Sequence, residues 1–297
     1  MTSPPLINAL PARRPSRWAV GALALGFSAY LIYEFAASPN IQWTEVWNYV
    51  ANGQILAGLG LTLVLTVVCM VVGIIGGVLL AIMKLSRNPV LQSISWCYVL
   101  FFRGTPVLVQ IIFWFNLSLV FPNIGATPTN QLITPFIAAV LGLGLNEAAY
   151  MAEIVRAGIG SVDEGQSEAT AASGLTRAQT MRYVVLPQAL RAIVPPTGNQ
   201  FIGMLKTTSL VSVIATQELL TSAQHIYSQN FLTIELLIVA SIWYLVATTL
   251  ATAIQSVIED RLSAGDRTRR TSDVLAFWRQ TLRIDRKISP IDWTLTK

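Results

Sequence analysis

Three ionisable side chains lie inside apolar stretches of the sequence: Glu147, Glu153 and Lys206. A charge within a membrane-spanning helix is costly, so such a residue faces a cavity, a partner or a ligand. Thr207, Thr208 and Ser209 follow Lys206, and an ammonium group among hydroxyls can donate to a carboxylate. The alternative for Lys206 is an ion pair with Glu147 or Glu153. On a helix, Asn146, Tyr150 and Glu153 share one face, and Glu147 points about 100° away beside Met151 and Ile154. Glu147 has no basic neighbour on its own helix, and its carboxylate suits an ammonium or guanidinium ligand. Glu153 stands three residues before Arg156, the spacing of an i,i+3 pair. Asn199 and Gln200 add amides to the stretch that carries Lys206.

No catalytic residue and no metal site are expected. The single His225 and the two cysteines, Cys69 and Cys97, supply neither a metal cluster nor a disulfide framework. H-E-x-x-H, G-x-S-x-G and G-x-x-x-x-G-K-[ST] are all missing, so the sequence predicts no hydrolytic centre and no nucleotide bound by this chain.

The elements that must hold these residues are membrane helices. Of 297 residues, 53% are hydrophobic and only 12% charged, about half the charged fraction of a soluble protein. The pattern predicts an all-α polytopic membrane protein with about six spans. They run from Trp18 to Ala36, Leu56 to Met83, Val90 to Phe121, Ile133 to Arg156, Leu190 to Ile214 and Thr233 to Ile258. A cleaved signal competes for the first run, which is long for one. Gly73, Gly76 and Gly77 allow close helix packing. Pro106 predicts a break near Thr105, and Pro195-Pro196 a kink in the fifth span. Trp43, Trp47 and Tyr49 suit an interfacial belt. At about 1.5 Å per residue, Glu147 lies roughly 20 Å along the helix from Ile133.

The organisation expected is a short segment 1–17, a membrane domain 18–261 and a basic tail 262–297. From Arg261 onward nine basic residues face four acidic ones, which carries the whole net charge of +5. Such a tail suits an anionic membrane face, not nucleic acid. Within it, Ser272 can cap a helix with Val274, Trp278 and Leu282 on one stripe. Lys and Arg occupy both ends and the loops after spans two and four, and are missing from the three opposite loops. Both termini are therefore expected in the cytoplasm.

The longest polar break is Glu168 to Pro187. Glu168 to Ser173 predicts a short helix, Gly174 a left-handed cap, and Thr176 to Val185 a second helix that Pro187 ends or restarts. Small side chains on one face would admit close approach of another protein. Glu168-Ala169, Gly174 and Val184-x-Leu186-Pro187 resemble the cytoplasmic "EAA" loop of ABC importer permeases, with Thr170 in place of the third Ala. Phe102-Arg103-Gly104-Thr105-Pro106 and Leu205-Lys206-Thr207-Thr208-Ser209-Leu210 resemble strings of the polar amino acid branch. Thr207 departs from the commoner Asp or Asn, and Glu147 from a small or hydroxyl residue.

The resemblance covers about Gln54 to Arg261 and implies a type I permease-like fold in a bacterial inner membrane. It implies a pathway built with a second permease subunit, the same chain or a similar one. It further implies a cytoplasmic ATPase dimer and an extracytoplasmic solute-binding protein as partners. The cargo would be a polar amino acid or related small solute, with ATP and Mg held by the ATPases. Glu168, Ala169, Ala172, Gly174, Leu175, Arg177 and Pro187 would form the ATPase-coupling loop. Asn146, Glu147, Tyr150, Glu153, Asn199, Lys206, Thr207, Thr208 and Ser209 would line the substrate pathway. The rivals are an ion-gradient-driven secondary transporter or channel, which predicts internal repeats, and a membrane enzyme.

Overall fold

In hydrocarbon every backbone N–H and C=O needs a partner from the chain itself, so long apolar runs become helices. A computed structural model describes residues 15–263, and these are almost entirely helical. In chain order they form α1 (Pro15–Ala36), α2 (Trp43–Val50), α3 (Gly53–Leu85), α4 (Pro89–Gly104) and α5 (Val107–Phe115). Next come a small antiparallel hairpin, Asn123–Ile124 with Thr127–Pro128, then α6 (Thr129–Leu132) and α7 (Pro135–Gly160). Then follow α8 (Glu164–Ala172), α9 (Arg177–Thr180), a π-turn over Met181–Val185 and α10 (Leu186–Thr207). A 3-10 segment over Thr208–Ile214, α11 (Leu219–Asn230) and α12 (Thr233–Ser263) complete the described residues.

Among the described residues four of the six expected spans appear, with adjusted bounds, as helices long and apolar enough to cross a bilayer, α1, α3, α7 and α12, and the broken pair α4–α5 counts as a fifth if the two are one span. The break falls at Thr105–Pro106 with a bend of 99°, where Pro106 has no N–H to continue the ladder. The stretch expected as the fifth span is less apolar, because Arg191, Asn199, Gln200 and Lys206 interrupt it; the helical assignment of α10 continues through Pro195 and Pro196. Two of the connections between the expected spans are themselves structured. The segment 216–232 holds α11, and 122–131 holds the hairpin and the start of α6. Helix α1 begins inside the expected N-terminal segment 1–17, at Pro15. The tail helix expected at Ser272 lies outside the described residues.

The described residues divide into two units. The first takes in the residues up to Met70, with Thr105–Gly144 and Met204–Ala247. Its core is Val46, Ile55, Leu219, Ala223, Leu236 and Val239, joining α2, α3, α11 and α12. The belt aromatics turn out to be fasteners as well. The Trp43 indole donates to the Ala36 carbonyl at 2.9 Å, and the Tyr49 hydroxyl accepts from Asn230 at 3.1 Å. Trp47 remains 68% exposed, as an interfacial residue should.

The second unit takes in Val71–Gly104, Leu145–Gly203 and the described residues from Thr248. Leu80, Val99, Phe102, Ala148, Ala149 and Ala152 pack one cluster, and Ala81, Met151, Val155, Ala189 and Ile193 another. The α3 glycines meet α7 so closely that a Cβ on Gly73 would lie 2.5 Å from the Glu147 side chain, and one on Gly76 2.9 Å from Ala148. This is the small-residue contact that replaces hydrophobic driving force in lipid. By contrast, Leu79, Ile82, Leu250 and Ile254 are exposed, apolar groups suited to lipid.

Gly77 tests this packing. Gly77→Val would drive its Cβ into Met151 and the Ala152 backbone, an overpacking of about 1–3 kcal/mol. We expect the thermal midpoint in detergent to fall by about 5 °C. Gly60→Ala, whose Cβ meets nothing within 4 Å, should leave it unchanged or slightly raised. Equal midpoints for the two variants would refute the close contact.

Candidate functional site

The polar loop is built from local capping. Asp163 caps α8 by accepting from the Gly165 N–H at 2.7 Å, so this helix starts four residues earlier than the sequence implied. Gly174 follows with φ +81°, a left-handed conformation that costs other residues energy. Thr176 and Gln179 then form a reciprocal capping box at α9. Thr170, the departure from Ala, donates to the Ser167 carbonyl at 2.9 Å and lies 3.0 Å from the Thr180 hydroxyl, linking α8 to α9.

Pro187 restarts the helix rather than ending it. In the π-turn the Leu186 N–H reaches back to Met181, and the widened turn carries the chain past a proline that would otherwise press on the carbonyl four residues earlier. Glu168, Ala169, Ala172, Gly174, Arg177 and Pro187 are all exposed, and Leu175 is half-buried. The loop therefore presents a small-residue surface held in one shape by its own hydrogen bonds.

Within the second unit the α7 residues have distinct partners. The Asn146 amide donates to the Phe102 carbonyl at 2.6 Å. That carbonyl is the one Pro106 leaves without its helical donor, so Asn146 repairs the break. Glu147 is 5% exposed and accepts from the Gln200 amide at 3.2 Å. Tyr150 is exposed, with the Arg103 guanidinium 5.0 Å above its ring. Glu153 takes the expected bond from Arg156 at 3.0 Å and a second ion pair from Lys84, which the sequence did not indicate. Asn199 is exposed and accepts from Gln255 at 3.2 Å.

In the first unit, Lys206 is exposed and makes no ion pair within that unit among the described residues. Thr208 is buried and donates to the Leu205 carbonyl at 2.7 Å; Ser209 donates to the Lys206 carbonyl at 2.6 Å. Thr207 is half-buried. Two further residues of this unit escaped the sequence reading. Glu218 is fully buried and caps α11, accepting from the N–H groups of Leu220 and Thr221 at 2.9 and 2.7 Å. The Tyr244 hydroxyl also donates to it, at 2.8 Å. An acid directly before Leu219-Leu220 was a weak signal; nothing local marked Tyr244.

Residues 73–264 match the family model described as the binding-protein-dependent transport system inner membrane component. The chain is 40% identical to the arginine transport system permease protein ArgU of Corynebacterium glutamicum, over 92% of this chain and 88% of that protein. It is 34% identical to the glutamine transport system permease protein GlnP of Escherichia coli, over 74% of this chain and 97% of that one. A crystal structure of an amino acid ABC transporter with histidines superposes with a TM-score of 0.68 at 36% identity, covering 75% of this chain and 99% of that one. With the family model matched across both the exposed capped loop and the polar stretches of α7 and α10, this chain belongs to the inner-membrane permease components of binding-protein-dependent transport systems.

Proposed function

We propose that this chain forms, with a second permease subunit, the membrane pathway of an ATP-driven importer for polar amino acids, with a basic side chain preferred. The observation that carries the reading is the exposed loop from Glu168 to Pro187, rigid and lined by small residues, between helices of a transport permease. Its surface fits a cleft on a cytoplasmic ATPase dimer. Closure of those ATPases on ATP and Mg would push the loop, and α7 and α10, which flank it, would carry the motion into the bilayer. An extracytoplasmic solute-binding protein would deliver the cargo. Taking α10 and its 3-10 extension as the remaining span, both termini lie in the cytoplasm, on the side rich in Lys and Arg.

Two observations favour a basic amino acid. Glu147 is a buried carboxylate that accepts from a neutral amide, Gln200, which leaves a charge for a cation to neutralise. A relative 40% identical over 92% of this chain is named for arginine transport. Lys206, exposed beside Thr207 and Ser209, would meet the substrate carboxylate. Asn146, Tyr150, Glu153 and Asn199 shape the surroundings through the bonds described above.

Gly174→Asp places a Cβ and a charge at a left-handed turn on the docking face. The variant is expected to accumulate in the membrane normally but to lose its ATPase partner in a mild-detergent pull-down, and uptake with it. Retention of both would remove the loop from the coupling path. Glu147→Gln keeps the side-chain shape and removes the charge. Uptake of labelled arginine should fall about tenfold or more, the scale of a lost charged hydrogen bond, while neutral amino acids are affected less. An equal effect on both classes would assign Glu147 to structure alone.

A further inference from the structure

The Arg103 guanidinium is unused by the reading above. It lies 5.0 Å over the Tyr150 ring. Tyr150 is ten residues from the nearer end of α7, about 15 Å along the helix axis. The cation is thus well inside a helix long and apolar enough to span a bilayer, where a charge needs a cavity, a partner or a ligand. Its own unit supplies no counter-charge. Of the two carboxylates on α7, Glu153 is taken by Lys84 and Arg156, and Glu147 accepts from Gln200. Arg103 makes no ion pair within this unit among the described residues. The carbonyl end of α4 favours a cation there, and the ring face attracts it. Neither consumes the five N–H donors of a guanidinium.

The backbone that presents Arg103 is fixed. Phe102 is buried against Ala148, Ala149 and Ala152, and its carbonyl takes the Asn146 amide at 2.6 Å. One turn earlier, the Tyr98 hydroxyl donates to the Leu145 carbonyl at 2.9 Å. With Phe102 packed inward, the next residue turns outward, and Arg103 is exposed. Gly104 leaves space beside it, since a Cβ there would meet nothing within 4 Å.

An exposed guanidinium on a fixed base, with idle donors, can grip a planar anion through two parallel N–H···O bonds. Two anions come to a spanning helix: the carboxylate of a cargo and the phosphate of a lipid. Lipid phosphates lie outside the hydrocarbon, towards the helix ends, and Tyr150 is far from both ends of α7. The face that Tyr150 shares with Asn146 and Glu153 is also polar, unlike a lipid-facing one. Both points favour the cargo.

We propose that Arg103 binds the carboxylate of the amino acid cargo, with Tyr150 as the ring that holds its guanidinium. The inference rests on the reading of this chain as an amino acid permease and is independent of the preference for basic side chains. Glu147 tells one cargo from another in this scheme, whereas Arg103 reads a group that all amino acids share.

The test is equilibrium binding of labelled arginine to the purified permease–ATPase complex in lipid nanodiscs. The competitors are arginine and agmatine, which is arginine without its carboxylate. The native complex should hold arginine about tenfold or more tighter than agmatine, the scale of a charged hydrogen bond. Arg103→Gln should weaken arginine about tenfold or more and leave agmatine unchanged, which also shows that the variant is folded. Arg103→Lys keeps the charge without the fork and should fall between the two. Tyr150→Leu should weaken arginine more than agmatine. Labelled glutamine, competed by 4-aminobutanamide as its counterpart without the carboxylate, should repeat the pattern. If the native complex binds glutamine and not arginine, the basic-cargo reading falls, and the glutamine pair still decides Arg103. Equal losses of arginine and agmatine in Arg103→Gln would make the residue structural and overturn the proposal. Unchanged arginine binding in that variant would overturn it too, and an accompanying loss of co-purified anionic phospholipid would assign the guanidinium to a lipid phosphate.

Discussion

A polar group in hydrocarbon has no water to turn to, and most of what is specific in this protein follows from that constraint. At several points where the backbone leaves regular helix, a side chain takes over the orphaned group. Pro106 breaks the third hydrophobic stretch, and Asn146 reaches from α7 to the carbonyl that loses its donor. On the far side of the break, Gln110 donates to the Thr105 carbonyl and hydroxyl at 3.2 and 2.7 Å. At the start of α11 the N–H groups of Leu220 and Thr221, which have no helical acceptor, go to Glu218. A buried carboxylate is costly without partners, and here the helix terminus supplies them, with its dipole adding to the attraction.

The same constraint explains the glycines. Helices in lipid gain little from burying apolar surface, because lipid tails are apolar already. They associate through close contact, and α3 offers Gly73, Gly76 and Gly77 on the side that meets α7. Gly73 lies directly against Glu147. The contact fixes the backbone that carries the buried carboxylate, and Gln200 fixes its head group. Packing and chemistry at that position are one arrangement: a larger residue at 73 would displace the charge itself.

Much of this was legible beforehand, for reasons that differ by residue. The spans were visible because apolar runs of about twenty residues are hard to mistake. The turn at Gly174 and the break at Thr105 were visible because glycine and proline restrict local geometry strongly. The Glu153–Arg156 pair followed from helical spacing alone. Lys84 as a partner of Glu153 did not, since it comes from a different helix. Nor did α11: its residues Leu219–Asn230 are mixed in polarity, and only the capping bonds of Glu218 reveal why they form a helix. For Pro187 the sequence allowed an end or a restart of the helix, and α10 does begin beside it, at Leu186. The usual effect of a proline is to stop a helix, and a π-turn placed before it absorbs the disruption.

That π-turn bears on how a push on the exposed loop could reach the membrane helices. A flexible hinge between the loop and α10 would dissipate motion. Here α9, the π-turn and α10 follow without an intervening coil residue, from Arg177 to Thr207. The preceding helix α8 is bound to this rod by the Thr170–Thr180 contact. At the other end of α8 only Ser161 to Asp163 separate it from α7, and below that junction Gly158 packs against Ile193 of α10. The loop is thus exposed without being loose. Force applied at its small-residue face meets helical segments in contact at both ends, the mechanical condition a coupling element must satisfy.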